Sequence, residues 1–270
     1  MTVHTFHFSG EPAHHPDEDA RAWRDNRFAV FDGITLLHQQ PYPDPSPAAA
    51  AAQAGCQAVL DTPLDAQGPE KTLRHMAAEA NRHIKQLNQF LNITEQTVDY
   101  LAVQYAAAVG AYGFIQDDTL HCAQLNDCEV MVLNKQGDIT FRLETDTGPV
   151  NAYLRHLQDT HHFAASSPEE HQYARKNVIN NTQLEFQGVP IRMGVFTGQE
   201  VAEQFITIGQ HQLAPGDTVL FYSDGMLPFV DNPAFRKYLA TAADFKDLDS
   251  FHRSLGGRLA ERSLVLVRPG

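Results

Sequence analysis

Three acidic settings in this sequence have the residue types for metal chemistry. The run "RFAVFDG" carries four apolar residues, Phe28 to Phe31, straight into Asp32 and Gly33. The run "VLFYSDG" repeats the pattern at Asp224 and Gly225, and "HPDEDARAW" sets Glu18 beside Asp19 just upstream of the first run. Taken singly, each Asp-Gly reads as a turn, because both residues are favoured there. Taken together they read as carboxylates delivered by strand ends. Two such strands lying in one sheet would bring the carboxylates side by side. Unpaired carboxylates repel, and burial raises the cost. A divalent cation with oxygen ligands relieves it. Glycine after each aspartate lets the backbone turn away and lets its own carbonyl approach an ion closely.

Those strands need a scaffold. Short strands are expected around residues 3–8 and 27–31. A proline-rich link, "QQPYPDPSP", leads to Ser46 and Pro47, an N-cap and first helical residue for the alanine-rich "AAAAAQAGCQAVL". Leu73, Met76, Ala80, Ile84 and Leu87 recur at helical spacing and predict a helix over residues 69–91. From residue 99 the pattern changes to short apolar runs broken by Gln116-Asp117-Asp118 and Lys135-Gln136-Gly137, which predicts one antiparallel meander. "SSPEEHQYARKNVINN" opens a helix with a second Ser-Pro start. After it, "VPIRMGVFTGQE" reads as irregular, "DTVLFYSDG" as a strand, residues 233–243 and 251–262 as helices, and "SLVLVR" as the last strand. The sum is a single α+β domain over residues 1–270.

Composition narrows the function. Over 270 residues, 43% hydrophobic and 20% charged content is ordinary for a globular chain. A formal net charge of −13 argues against nucleic acid or an anionic membrane surface as partner. No apolar run is long enough to span a bilayer, and the first twenty residues do not read as a signal peptide. Cys56, Cys122 and Cys128 show no CxxC spacing, so a reduced, cytoplasmic setting is expected; the chain is separately expected to be a monomer. Fourteen histidines include the adjacent pairs His14-His15 and His161-His162, but no set has zinc-ligand spacing. "VFDGITLL" lacks the nucleophile of the haloacid-dehalogenase signature, since Val30 stands two residues before Asp32. There is no glycine-rich phosphate loop or dinucleotide fingerprint.

In order along the chain, the acidic pair, "FAVFDG", the meander, "LAPGDTVLFYSDGM" and the terminal "SLVLVR" resemble the metal-dependent protein phosphatases of the PP2C (PPM) type. The resemblance implies a four-layer αββα sandwich, two antiparallel sheets flanked by helices. It implies two Mg2+ or Mn2+ ions bridged by Asp32, one of them bound by the Gly33 carbonyl, with Asp224 a further ligand. Glu18 and Asp19 would hold metal-bound waters or touch the ions, and Asp127 in "LNDCEV" would serve a weaker third ion. The implied reaction is hydrolysis of phosphoserine or phosphothreonine on a protein substrate, by water that the ions make acidic, with no covalent enzyme intermediate.

The chain departs from that pattern at three places, the first being Ile34-Thr35-Leu36-Leu37 after "FDG", where the family has a glycine-rich stretch. His14 stands where the family has a phosphate-binding arginine, and histidine is a poorer clamp than the guanidinium fork. The terminal metal aspartate falls on Ala260, or on Glu261 if the register slips by one. Glu261 would reach an ion only with its longer side chain; the alternative is an ordinary surface residue held by Arg262. These departures leave a second reading open, an impaired relative acting as a protein-binding or regulatory module.

Overall fold

The computed structural model describes residues 1–9, 17–34, 45–64, 68–143, 147–161, 163–164, 167–254 and 261–270. The chain begins with strands β1 (Thr2–Phe8), β2 (Ala20–Arg24) and β3 (Arg27–Gly33) and helices α1 (Pro47–Asp61) and α2 (Pro69–Phe90). Strands β4 (Ala108–Gln116), β5 (Thr119–Leu125), β6 (Glu129–Leu133) and β7 (Ile139–Leu143) follow, then helices α3 (Gly148–His161) and α4 (Pro168–Ala174). After a π-helical turn at Arg175–Ile179 come β8 (Thr182–Phe186), β9 (Val189–Met193), β10 (Thr207–Gln212) and β11 (Thr218–Tyr222). Helices α5 (Leu227–Val230), α6 (Pro233–Thr241) and α7 (Leu248–Ser254) precede the last strand, β12 (Arg262–Arg268).

Two five-stranded antiparallel sheets result, with orders β1-β12-β11-β6-β7 and β10-β5-β4-β3-β2. Alternation along the strands builds the layers. Phe28 and Val30 of β3 face Val219 and Phe221 of β11 and Val265 and Val267 of β12 in the core between the sheets. Ala29 and Phe31 point the other way, onto α1 and α2. Leu220 and Tyr222 turn outward onto α5, α6 and α7. The expected four layers, helices outside two sheets, are therefore present.

Both Ser-Pro starts cap as expected. Ser46 Oγ accepts from the Ala49 amide at 3.0 Å, and Ser167 Oγ from the Glu170 amide at 3.2 Å. The meander differs. Its four strands do not form one sheet: β4 and β5 pair in one, β6 and β7 in the other, and the chain crosses the sandwich at Asn126-Asp127. Residues 99–107 are not part of β4. The stretch expected to be irregular contains β9, which pairs with β8 as a separate hairpin.

Candidate functional site

Asp32 continues the alternation of Phe28 and Val30, so its carboxylate emerges at the end of the inter-sheet face. Gly33 follows because nothing larger fits: a Cβ there would lie 2.6 Å from the Ala48 carbonyl and 2.8 Å from the Glu18 carbonyl oxygen. Asp224 arrives from the facing sheet, in the short 3-10 turn Asp224–Met226 after β11. Strands of one sheet would have set the two carboxylates side by side. These two strands lie in different sheets, and the carboxylates meet across the sandwich, where Asp32 and Asp224 share a side-chain hydrogen bond. Asp127, at the crossing between β5 and β6, completes the group. Asp32, Asp127 and Asp224 line one cavity of about 550 Å³.

The electrostatics record this crowding. Burial lifts the Asp32 carboxyl well above the usual range, and the charges of Asp19, Asp224, Asp127 and Glu261 add to it. Asp127 is pushed up to about 6, by burial first and then by Asp224. Asp224 is open to the cleft, yet the protein around it raises its pKa too, against the Gly225 amide and Asp32. Asp32 and Asp224, in hydrogen-bond contact, offer oxygen donors that suit a hard divalent cation, which removes the repulsion at its source.

The acidic pair divides its work. Glu18 is 2% exposed, and its Oε1 accepts from Ser46 Oγ at 2.6 Å, which ties it to the start of α1. Asp19 Oδ2 accepts from Ser223 Oγ at 2.7 Å, beside Asp224. Burial and then the Glu261 charge push Asp19 up to about 8. Glu261 accepts the Glu18 amide on Oε2 and the Asp19 amide on Oε1, both at 2.8 Å. It therefore clamps the backbone of the pair. Arg262 does not hold it. Neighbouring strand residues face opposite ways, and the Arg262 guanidinium lies between the rings of Phe8 and Phe229, 5.6 and 5.4 Å from their centroids. A Cβ at Gly225 would run into the Glu261 carbonyl, so the second Asp-Gly is also fixed by close approach.

Two residues escaped the sequence reading. His7 meets Asp19 and Glu261, with one ligand atom of each within 4.8 Å of the others. Its Nδ1 lies 3.2 Å from Ser263 Oγ and its Nε2 3.2 Å from Asp17 Oδ2. Only the pairing of β1 with β12, His7 opposite Ser263, brings it there. Arg175, from the π-helical turn, lines the cavity with the three aspartates. Burial holds its pKa down to about 10, while Asp127, Tyr100 and Asp32 pull the other way. His14 and Ala260 lie outside the described residues.

No protein-family model matches the sequence, and no curated protein matches it either. Solved structures do match the fold. The catalytic domain of the serine/threonine protein phosphatase PstP in complex with two manganese ions aligns at TM-score 0.62 and 18% identity, over 98% of this chain and 96% of that one. The serine/threonine phosphatase of S. agalactiae aligns at 0.63 and 17%, over 100% and 99%. The PPM Ser-Thr phosphatase MsPP from Mycobacterium smegmatis, in complex with cacodylate, aligns at 0.55 and 13%, over 100% and 99%. The chain has the fold of the PP2C-type phosphatases, with a strongly diverged sequence.

Proposed function

We propose that this protein is a metal-dependent phosphatase acting on phosphoserine or phosphothreonine in proteins. The observation that carries the reading is the meeting of Asp32, Asp127 and Asp224 from two facing sheets in one cavity. Asp32, Asp224 and the Gly33 carbonyl would hold Mg2+ or Mn2+, and Asp127 a weaker ion. When bound, the ions supply charge neutralisation at the phosphoryl oxygens and a water of lowered pKa. Asp19, held by Ser223, keeps a carboxylate at the edge of this set, and Glu18 anchors the loop to α1. Glu261 fixes the backbone of both.

The substrate class is supported by the likeness to serine/threonine phosphatases, one of which holds two manganese ions. Glu261 uses both carboxylate oxygens on amides, so it is a weaker ion ligand than a free aspartate. We therefore expect more activity with Mn2+, which accepts looser geometry, than with Mg2+. Hydrolysis of a chromogenic aryl phosphate with and without Mn2+ tests the proposal, and Asp32→Ala abolishes it. The absence of a carboxylate at Ala260 favours a second reading, a protein-binding module of the same fold. That reading predicts partner binding with no phosphate release at any metal concentration.

A further inference from the structure

Arg175 belongs to neither large sheet. It sits where α4 runs into the π-helical turn, on an insertion made of α3, α4 and the β8–β9 hairpin. That insertion closes around its own apolar cluster, Val150, Leu157, Val178, Ile191 and Met193. Arg175 nevertheless lines the acidic cavity of the sandwich, where its charge feels Asp127 and Asp32. With its pKa at about 10, it is charged at neutral pH. Asp127 and Asp32 favour that charge from a distance, but among the described residues no carboxylate lies within ion-pair reach of it, and its guanidinium makes no hydrogen bond. A partly buried cation pays in lost hydration unless an anion meets it. The cavity holds space for one beside the three aspartates.

We propose that Arg175 binds the phosphoryl group of the substrate, its fork donating to non-bridging phosphoryl oxygens while the ester faces the aspartates. The proposal rests on the phosphatase reading. Its planar, permanently charged fork matches phosphate better than the His14 imidazole does. The consequence is that the phosphate clamp is carried by the insertion rather than by the amino-terminal segment. Packing of α3 against α4, through Gln158 on Glu170 and His161 on Tyr173, and against β9 then sets how the substrate is held.

Inorganic phosphate is the probe. Its affinity is measured by calorimetry on Mn2+-loaded protein for the wild type, Arg175→Ala and Arg175→Lys, beside KM for a phosphothreonine peptide and a Mn2+ titration. In Arg175→Ala, phosphate binding weakens about ten- to a hundred-fold, the size of a lost charge-assisted contact, and KM rises in step. Arg175→Lys falls between, keeping the charge without the fork. Mn2+ affinity stays within about threefold of wild type in both, as expected for a residue outside the ion ligands. Unchanged phosphate affinity in Arg175→Ala, with turnover still lost in Asp32→Ala, overturns the assignment and leaves the phosphatase reading standing. Parallel loss of Mn2+ and phosphate binding in both Arg175 variants overturns it as well, because it marks a structural role. A wild type that neither binds phosphate nor turns over the peptide removes both readings together.

Discussion

Glu261 shows how a single residue is redirected by its neighbours. Its carboxylate bridges two amides, so shortening it breaks the bridge even where charge is kept. Glu261→Asp should weaken Mn2+ binding about tenfold, the effect typical of losing support behind a metal ligand, while Ala260→Asp should strengthen it. Calorimetric Mn2+ titration reads both. The aspartates at residues 32 and 224 were legible in the sequence because two apolar runs both stop on Asp-Gly, a pattern that reads as a plain turn when it occurs once. The acidic pair stood out beside them as adjacent carboxylates just upstream of the first run, and only Asp127 became legible through the resemblance. His7 and Arg175 were not legible. Each reaches the site by tertiary register, β1 against β12 for one and the folding-back of the insertion for the other. Nothing in the local sequence marks either event.

At the scale of elements, α1 is the support of the acidic pair. Ser46 caps it and also donates to the buried Glu18 carboxylate. Ser46→Ala removes a cap worth about 1 kcal/mol and leaves a buried carboxylate short of a donor, which costs about 1–3 kcal/mol more. Urea unfolding should show a loss of about 2–4 kcal/mol by that sum, whereas Gln57→Ala on the exposed face should cost under about 0.5 kcal/mol. Both Ser-Pro helix starts were readable because capping is local chemistry. Strand partnership is not local, which is why the meander divided between two sheets at Asn126-Asp127. The β8–β9 hairpin had a signal, Gln187-Gly188, both with positive φ. Its strands were too short and too polar for their periodicity to reveal it.

For the whole molecule, the acidic centre sets a pH dependence. Asp127 and Asp19 have folded pKa values raised to about 6 and about 8. A carboxyl that holds its proton more tightly when folded contributes stability below its ordinary pKa. That stability is lost as pH rises through the folded value. The metal-free protein should therefore lose thermal stability between pH 4 and pH 8, roughly the window from ordinary to raised aspartate values. Mn2+ should raise the midpoint more at pH 8 than at pH 5, because ions compete with those protons. Scanning calorimetry in chelator and in Mn2+ checks the sign. The insertion, with its own small core, should exchange amide hydrogens faster than β3 or β11, as a locally opening unit does. Among the described residues, no helix is long and apolar enough to cross a membrane. The α+β class was legible in the order of elements and the four layers through the family resemblance, but the meeting of the two Asp-Gly ends across the sandwich required the sheets to face each other.

Phosphate release from a phosphothreonine peptide, followed against Mn2+ concentration for wild type and Asp32→Ala, tests the central claim most directly. The account predicts release that saturates with Mn2+, stops on chelation and is absent from Asp32→Ala. Release that continues in chelator, or in Asp32→Ala, would contradict it. So would a wild type that binds Mn2+ between Asp32 and Asp224 and releases nothing.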